Sequence, residues 1–451
     1  MKTIVEPKKY IVNLWGKQRI KETDVYRLMR YVLRVDHEGK VLLHNAVTGQ
    51  LAELSREEAA MLEKLPAVYD PVMEQLAAGH FLVREGFDEY KSVHQLRRIY
   101  KSRFTGKAIT HYVILPTTFC NAHCFYCYES DHPRVQMTEE TAGKLIDYID
   151  EHRQGKRISI NWFGGEPLVG LRRIDQISQG LMDREIPFAS AMISNGYLFD
   201  EEIVERSREL WKLQRVQITL DGTEDTYNRV KAYADVQDNP YQRVLRNIDL
   251  LSGKGIHVKI RLNADVYNQD EIRKLIEELG ERYSGQSHVT VYLNTLFDGQ
   301  GYQPVHHSYD DILALMDFNA DCTERLKEMK LHFDDIKYPY LSFSQCMADN
   351  PHAVMIQPDG SFCRCEHESI HDRYGSLEEG VTDPGKLDRW NETMEPSDIC
   401  PECPIYPACY HLRHCMNNGL PCIERFRVSA LEKQKEQILS MYGNGMEADV
   451  E

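Results

Sequence analysis

The chain has 451 residues, a formal net charge of −16 from 54 Lys and Arg against 70 Asp and Glu, and 42% hydrophobic residues. That length predicts roughly two to four domains. The excess of acidic residues argues against nucleic-acid binding as the main role, because such binding needs Lys and Arg to replace counterions. No apolar run approaches the length of about 20 residues that spans a bilayer, and the charged first residues do not resemble a secretory signal, so we expect a cytoplasmic protein with no nucleic acid and no membrane as partners.

Residues 1–100 predict a small α+β module that contains no cysteine. Two strand-like stretches, RLMRYVLRVD and VLLHNAV, lead through a turn at Thr48 and Gly49 into SREEAAMLEKL, and GHFLV closes the pattern. Ser55 as N-cap and Glu58 three residues later form a capping box, which predicts that a helix begins here. A plain scaffold role is one interpretation of this module.

Residues 108–300 predict a ladder of strands and helices. Short apolar strands alternate with stretches that carry apolar residues at three- and four-residue spacing, such as MTEETAGKLIDYIDEHRQ and NQDEIRKLIEELGERY. The strands are HYVILP, RISINWF, ASAMIS, VQITL, HVKIRLN and HVTVYLN. Such β/α units predict an α/β fold with a parallel sheet, either doubly wound or, as we expect, closed into a partial (β/α)6 TIM barrel.

Unusual loop residues follow five of these strands, each at its carboxyl end. In strand order they are Cys120 with Cys124 and Cys127, Gly164-Gly165-Glu166-Pro167, Ser194-Asn195-Gly196, Asp221-Gly222, and Asn263. Taken singly, the glycine and asparagine motifs are typical of turns. Because the carboxyl ends of barrel strands form the face that carries chemistry, their shared position predicts an active site.

The loop Cys120-Asn-Ala-His-Cys124-Phe-Tyr-Cys127 has the spacing C-x3-C-x2-C. Three close thiolates suit a [4Fe-4S] cluster, which normally takes four, so one iron would lack a protein ligand and could bind a substrate or cofactor. The alternatives are three buried thiols or a zinc site completed by His123.

The neighbouring loops suit a small cofactor with an amine, a carboxylate, a cation and a purine. The candidate cofactor-binding residues are Gly164, Gly165, Glu166, Ser194, Arg229, Lys231 and Asn263. Glycine backbone permits close approach, the glutamate suits an ammonium, and the serine with one of the two basic residues suits a carboxylate. For the basic residues, plain surface charge is the alternative.

The remaining cysteines lie towards the C-terminus. Cys322 stands alone in DILALMDFNADCTERLKEMK, within a helical linker over residues 301–340, where we expect it to pack in a core. Residues 341–451 contain Cys346, Cys363, Cys365, Cys400, Cys403, Cys409, Cys415 and Cys422. Zinc knuckles around Cys400-x2-Cys403 are one interpretation of this region, and a non-enzymatic zinc or redox-sensing protein would follow from it.

The C-x3-C-x2-C loop after the first strand, with GGEP after the second, resembles the radical S-adenosylmethionine (SAM) superfamily. The resemblance implies a [4Fe-4S] cluster on Cys120, Cys124 and Cys127, whose open iron is chelated by the amine and carboxylate of SAM. It also implies that Tyr126 lies near the adenine, that the loop from Gly164 to Glu166 meets the amine, and that Ser194 with Arg229 or Lys231 meets the carboxylate.

The C-terminal cysteines resemble the SPASM extension, which carries two auxiliary [4Fe-4S] clusters. By motif order, the first auxiliary cluster would be held by Cys346, Cys365 and Cys415, with Cys363 as the possible fourth ligand, and the second by Cys400, Cys403, Cys409 and Cys422. The five residues between Cys409 and Cys415 depart from the family spacing. The implied cofactors are three [4Fe-4S] clusters and SAM.

Residues 1–100 are also similar to the winged-helix-like modules with which peptide-modifying enzymes bind a leader segment, a mode that adds a strand to a sheet edge. The stretches LDGTEDTYNRVKAY and NIDLLSGKGIHVKIRLNAD look most like maturases that form thioether crosslinks in sactipeptides and ranthipeptides. The resemblance implies a ribosomally synthesised, Cys-containing peptide as substrate and a flavodoxin- or ferredoxin-like electron donor. Glu366 and His367, next to Cys365, are the candidate proton acceptors, with two solvated polar residues as the alternative.

Other radical modifications of protein remain open from the sequence. They are formylglycine formation in a sulfatase, epimerisation and carbon-carbon crosslinking. A short Cys-rich reading frame beside the gene would favour thioether formation, and a neighbouring sulfatase would favour formylglycine formation.

Overall fold

A computed structural model describes residues 1–15, 20–104, 107–130, 132–234, 236, 238–296, 308–332, 339–343, 346–368, 370–391, 398–409, 422 and 424–443. The chain divides into two compact units. The first comprises Met1–Arg103, Asp335–Cys346 and Asn391–Glu451, and the second comprises Phe104–Asp334 and Met347–Trp390.

The strands are β1 (Lys2–Val5), β2 (Val25–Leu28), β3 (Val32–His37), β4 (Lys40–Asn45), β5 (Leu51–Glu53), β6 (Ala67–Val68), β7 (Leu82–Arg84), β8 (His111–Ile114), β9 (Ile158–Trp162), β10 (Phe188–Ser194), β11 (Leu213–Leu220), β12 (His257–Ala264), β13 (Val289–Thr295), β14 (Ala353–Ile356), β15 (Ser361–Cys363), β16 (Gly375–Ser376) and β17 (Gly380–Val381). The helices are α1 (Lys9–Trp15), α2 (Arg56–Leu62), α3 (Glu74–Ala78), α4 (Glu89–Phe104), α5 (Glu139–His152), α6 (Leu171–Asp183), α7 (Glu201–Glu209), α8 (Glu224–Lys231), α9 (Pro240–Gly253), α10 (Gln269–Tyr283), α11 (Tyr309–Glu328), α12 (Pro384–Asn391) and α13 (Glu424–Gly443). No helix in the described ranges is both long and apolar enough to cross a membrane.

The first unit is built on two antiparallel sheets with the strand orders β1-β5-β4-β3 and β6-β2-β7. The predicted capping box is confirmed, because Ser55 accepts from the amide of Glu58 while Glu58 accepts from the amide of Ser55. The cysteine-bearing segment that begins at Cys400 packs on α4, where the Arg97 guanidinium donates to the carbonyls of Tyr406 (3.3 Å) and Pro407 (3.1 Å).

The second unit contains a ten-stranded sheet with the order β13-β12-β11-β10-β9-β8-β14-β15-β16-β17. Strands β8 to β13 are parallel, which confirms the predicted α/β fold with its parallel, barrel-like sheet. The sequence did not predict β14, which pairs in parallel with β8 and joins residues of the C-terminal region to the same sheet.

Alternation along the strands gives this sheet two different faces. In β10 the buried residues Phe188, Ser190 and Met192 alternate with half-buried alanines and Ile193. The buried face packs against the apolar sides of the helices, such as Leu145 of α5. The opposite face of the sheet carries the half-buried residues of β10.

Candidate active site

The Cys120–Cys127 loop follows β8 and is fastened to the chain that leaves α8. The amide of His123 donates to the carbonyl of Lys231 (2.8 Å), and the amide of Ala234 donates to the carbonyl of Asn121 (2.9 Å). The three thiol side chains of the loop are half-buried. They therefore lie together at the carboxyl end of the sheet, as the sequence predicts.

Negative groups surround the thiol of Cys120. Burial, together with the charges of Glu166, Cys124 and Cys127, raises its pKa to about 12. Since thiolates are the form that binds metal, this site fits a group that brings positive charge. Within the described ranges, no three His, Cys, Asp or Glu side chains converge on a single metal-ion position. Three thiols that each meet a different iron of a cluster do not need such convergence.

Two further side chains of the loop bear on what it binds. His123, the fourth ligand of the alternative zinc site, places Nδ1 3.2 Å from the carbonyl oxygen of Ala232. Asn121 accepts a hydrogen bond from Asn195 (2.7 Å), while its own Nδ2 is buried without an acceptor among the described residues. A buried donor of this kind suits a polar ligand, because leaving it unpaired is costly.

Gly164 and Gly165 bring the loop after β9 against the cysteine loop. Gly164 has φ +114°, and an added Cβ would lie 2.2 Å from the carbonyl oxygen of Thr117. At Gly165 the same addition would lie 2.5 Å from the carbonyl oxygen of Phe119. Glycine is therefore required here for close approach between two backbones, and the amide of Glu166 donates to the Phe119 carbonyl at 2.9 Å.

Glu166 is fully buried beneath these loops. Its carboxylate accepts from the Ser194 hydroxyl (3.0 and 3.1 Å), the amide of Asn195 (2.8 Å) and the amide of Leu168 (3.1 Å). Burial raises the pKa of Glu166 to about 7 against the opposing effect of these hydrogen bonds. The structure thus brings two predicted residues together, with the serine hydroxyl used to hold the glutamate.

Lys231 and Asp221 form a buried ion pair on the other side of the cysteine loop. Nζ lies 3.0 Å from Oδ2, and each side chain is less than 5% exposed. Tyr126 donates to Asp221 (2.7 Å) and accepts from Lys231 (3.2 Å), while Asn263 donates to Asp221 (2.9 Å). Burial lowers the pKa of Lys231, but Asp221, Cys124 and Tyr126 outweigh it and hold the pKa well above its ordinary value.

The two candidate basic residues differ in position. Lys231 is buried within the network around Tyr126, whereas Arg229 is exposed and donates to the Thr226 hydroxyl at 3.4 Å. They are two residues apart on one helix, about 200° around its axis. Only Lys231 therefore faces the cysteine loop.

A second polar cluster begins directly after Cys127. The rings of Tyr128 and His367 are 4.1 Å apart at their centroids. Burial, with the nearby Glu366, raises the pKa of Glu129 to about 7. Burial also lowers the pKa of His367, against the charge of Glu366, and Arg261 lowers it further. The predicted pair Glu366 and His367 thus lies beside the Cys120–Cys127 loop.

The cysteines of β15 and its loop occupy different environments. Cys363 is buried on the strand and packs with apolar residues that include Val113 and Met355. Burial raises its pKa to about 12. Cys365 is half-buried, and its amide, like that of Arg364, donates to the Glu368 carboxylate (3.3 and 2.7 Å).

The other candidate auxiliary ligands that the structure describes lie in the first unit. Cys400 is buried and Cys403 half-buried, and the amide of Cys403 donates to the carbonyl of Cys400 at 3.2 Å. Burial raises the pKa of Cys403, and Cys422 adds to the rise, so these two thiols are near each other. Cys409 is half-buried and Cys346 is exposed.

The two remaining cysteines are Cys415 and Cys322. Cys415, assigned by resemblance to the first auxiliary cluster, lies outside the described residues. Cys322 is buried in the core of the second unit on α11, in line with the expected packing role.

Sequence reasoning did not assign roles to several residues of the site. Asp221 and Asn195 were seen only as parts of turn motifs, although each links two loops here. The choice of Lys231 over Arg229 could have been made from the sequence. Tyr227, four residues before Lys231, shares its helix face and is fully buried. No local sequence pattern pointed to Glu129, because its neighbour Glu366 comes from a distant part of the chain.

Comparison with known proteins agrees with this geometry. The model of the Radical SAM superfamily matches residues 114–279, from the end of β8 to α10. The chain therefore contains a radical SAM domain, which implies a [4Fe-4S] cluster and SAM.

Two curated relatives match parts of the chain. An uncharacterised protein of Methanocaldococcus jannaschii is 32% identical over 116 residues, which cover 25% of this chain and 39% of that protein. The radical SAM cyclopropyl synthase TigE of Paramaledivibacter caminithermalis is 23% identical over 214 residues, covering 42% of this chain and 44% of TigE. The chain thus spans less than half the length of these two relatives.

Two solved structures resemble the chain over a larger part. Native anSMEcpe with bound AdoMet and Cp18Cys peptide has a TM-score of 0.55 at 14% identity and covers 74% of this chain and 99% of that one. Streptococcus suis SuiB bound to the precursor peptide SuiA has a TM-score of 0.51 at 13% identity and covers 87% of this chain and 100% of that one. At this identity the likeness establishes a shared fold.

Proposed function

We propose that this radical SAM protein modifies a ribosomally synthesised, Cys-containing peptide and joins a cysteine sulfur to carbon through a thioether. The observation that carries the proposal is the assembly of three thiols, Glu166 with Ser194, and the Lys231 network at one end of the sheet. A peptide substrate is supported by the two solved structures of shared fold, each of which holds a peptide.

The residues that would hold the cofactors follow from this assembly. Cys120, Cys124 and Cys127 would bind a [4Fe-4S] cluster, with the SAM amine near the Gly164–Glu166 loop and its carboxylate near Lys231. When bound, the cluster and SAM supply a reductively generated 5'-deoxyadenosyl radical that abstracts a substrate hydrogen. Tyr126, which is hydrogen-bonded to Asp221 and Lys231, would pack near the adenine.

The chain's own groups would perform the remaining steps. Glu366 and His367 lie beside the cysteine loop and would accept the proton lost from the substrate thiol. The one electron released when the carbon radical bonds to sulfur would pass to an auxiliary cluster held by the C-terminal cysteines. The packing of Cys363 among apolar side chains favours a structural role, which would leave the Cys365 site with an incomplete protein ligand set. By motif order, the three protein ligands of the first auxiliary cluster would be Cys346, Cys365 and Cys415. The second would be held by Cys400, Cys403, Cys409 and Cys422.

The first unit would bind the leader segment of the peptide. Its four-stranded sheet ends in β1 and β3, each paired on one side only within the described residues. An extended leader could add to such an edge through main-chain hydrogen bonds. A flavodoxin- or ferredoxin-like protein would deliver the electrons.

Mass spectrometry of a candidate peptide after anaerobic turnover tests the proposal. The peptide would be one encoded beside this gene, and the expected product has lost two hydrogens and contains a cysteine that resists alkylation. A loss of two hydrogens with every thiol still reactive would indicate bond formation between carbons, for which the match to the cyclopropyl synthase TigE is the motivating observation. No 5'-deoxyadenosine with any peptide would contradict both activities.

Cysteine variants provide the matched control. Replacing Cys120, Cys124 and Cys127 with alanine should abolish 5'-deoxyadenosine formation, whereas Cys322→Ala, a buried cysteine on α11, should retain it. Retention of cleavage in the triple variant would place the radical cluster elsewhere.

A further inference from the structure

Three cations form a stripe across the open face of the parallel sheet. Arg215 of β11 lies beside His257 of β12 in the strand register, and Lys259 and Arg261 follow along β12 on the same face. The residues between them, such as Ile260, belong to the buried face that packs against helices. We call Arg215, Lys259 and Arg261 the cation stripe; in β12 its members are about 7 Å apart along the strand.

The cation stripe has polar neighbours but no acidic partner among the described residues. Lys259 lies over the ring of Tyr292, with Nζ 4.5 Å from the centroid, and Tyr292 donates to Gln217 at 2.8 Å. Arg261 donates through Nε to Asn263 at 2.9 Å. In the described part of the chain, no carboxylate lies within ion-pair distance of the three cations, whereas many exposed arginines, such as Arg184 with Asp147, are paired.

This lack of pairing is unusual for a chain with a net charge of −16. Arg215 is exposed, but Lys259 and Arg261 are half-buried, and a half-buried cation without an acidic partner incurs a desolvation cost that no ion pair offsets. A ligand that carries the opposite charge would offset this cost. The cation stripe is therefore better explained by an anionic ligand than by the stability of the sheet.

The stripe also runs up to the candidate active site. Arg261 is linked through Asn263 and Asp221 to Tyr126 of the cysteine loop by successive hydrogen bonds of 2.9, 2.9 and 2.7 Å. At this end Arg261 also lies near His367. A ligand held by Arg261 would thus lie next to the position of the radical.

Acidic groups limit which part of the stripe binds. Glu366 and Glu129 lie at the Tyr128 end, and Asp221 is already paired with Lys231. Among the described residues, the positive charges without an acidic partner are therefore those of Lys259 and Arg261 on β12.

We propose that Arg261 and Lys259 bind a side-chain carboxylate, Asp or Glu, of the peptide segment that enters the sheet, next to the residue that loses hydrogen. The planar guanidinium can hold a carboxylate with two hydrogen bonds, and the lysine adds a second positive charge. This inference rests on the proposed function and adds a specificity-determining subsite to it.

The test uses short fluorescein-labelled, C-terminally amidated peptides with the pattern Gly-Cys-Gly-Gly-X-Gly. The full-length protein, reconstituted with iron and sulfide and saturated with SAM, is titrated with the peptides in which X is Asp, Asn or Lys, and anisotropy reports binding. The Asp peptide should bind about tenfold more tightly than the Asn peptide, and the preference should shrink at high salt. Equal binding of the two, or no binding of the Asp peptide, would overturn the subsite.

Variants separate the subsite from the fold. Arg261→Gln should remove the Asp preference while the affinity for the Asn peptide stays the same, and Arg261→Glu should shift the preference to the Lys peptide. Arg184→Gln, which removes an arginine from the outer helical surface, is the matched control and should keep the wild-type preference. An unchanged Asp preference in Arg261→Gln and Lys259→Gln would refute the assignment.

Two further measurements distinguish a side-chain carboxylate from a terminal one, and failure of the subsite from failure of the proposed function. An Asn peptide with a free C-terminus should bind like its amide; tighter binding would assign the site to a terminal carboxylate and contradict a side-chain ligand. Formation of 5'-deoxyadenosine is followed in parallel with the gene-neighbour peptide. If 5'-deoxyadenosine forms but the charge of residue X does not change peptide affinity, only the proposed subsite is wrong. If 5'-deoxyadenosine never forms, the proposed function is wrong.

Discussion

At the scale of single residues, Lys231 and Asp221 show how a buried charge pair can be tolerated. Taking both ions out of water is expensive, and their attraction repays this only when further hydrogen bonds complete the arrangement. Tyr126 and Asn263 supply those bonds to Asp221. Removing one partner would leave the other charge buried and uncompensated.

Lys231→Met should therefore reduce the free energy of unfolding of the iron-free protein by about 3–5 kcal/mol. Asp221→Asn in the same chain should recover part of the loss, with a coupling energy of about 1–3 kcal/mol. Urea titration followed by tryptophan fluorescence measures both. Lys144→Met, which removes exposed ion pairs with Glu140 and Glu378, is the control and should cost at most about 1 kcal/mol. Strict additivity of the two buried substitutions would contradict the pair.

Glu166 makes the stability of the iron-free protein depend on pH. Its pKa is raised to about 7 by burial, so between the ordinary carboxyl range near pH 4.5 and about pH 7 the folded state binds a proton that the unfolded state has released. Stability contributed by this group is therefore present at low pH and is lost as pH rises through that window, by up to about 3 kcal/mol.

Glu166→Gln isolates this effect. The difference in unfolding free energy between wild type and Glu166→Gln should fall as pH rises from about 4.5 to about 7, because the glutamine cannot ionise. Glu129 is present in both proteins, so its own titration cancels. A difference that is constant across this range would show that Glu166 ionises normally in the folded chain.

At the scale of elements, the loop after β9 depends on backbone contact with the cysteine loop. Gly164→Ala places a methyl group where the Thr117 carbonyl now lies and forces a side chain on a residue with positive φ. We expect the variant to lose at least about 1–3 kcal/mol and to bind iron poorly. Gly143→Ala is the control, because its added Cβ meets nothing within 4 Å on α5 and alanine favours a helix by about 1 kcal/mol. Equal iron content and stability in both variants would contradict the close approach.

The elements also show what a sequence can predict. Alternating burial in β10 and the capping box at Ser55 and Glu58 are local patterns, so both were predictable. The C-x3-C-x2-C spacing was informative for the same reason, since one short loop holds all three thiols. By contrast, the pairing of β14 with β8 joins residues more than 200 positions apart, and no local pattern in AVMI distinguishes its partner.

Within the site, the limit was the direction of side chains. The sequence placed Glu166 and Ser194 at the same end of the sheet but did not show that the serine hydroxyl holds the glutamate. The sequence likewise did not decide which of Arg229 and Lys231 faces the site. That choice depends on how α8 is rotated, which is set by the packing of Tyr227 in the core.

At the scale of the whole molecule, the cysteine inventory predicts the metal content. Three [4Fe-4S] clusters require about twelve irons per chain. The triple alanine variant of Cys120, Cys124 and Cys127 should retain about eight, because the auxiliary ligands are separate from this loop. Iron and sulfide analysis of anaerobically reconstituted protein measures this. Four irons or fewer in the wild type, with zinc present, would rule out the SPASM assignment.

The parallel pairing of β14 with β8 also bears on how this architecture can be divided. A chain cut after residue 334 would keep every residue matched to the Radical SAM superfamily but would turn β8, with its buried Tyr112 and Ile114, into an open edge. Exposed apolar edge strands promote association between molecules. The C-terminal segment therefore belongs to the folding unit of the radical domain. A fragment ending after residue 334 should aggregate more readily than one ending after residue 390, which keeps β14 beside β8.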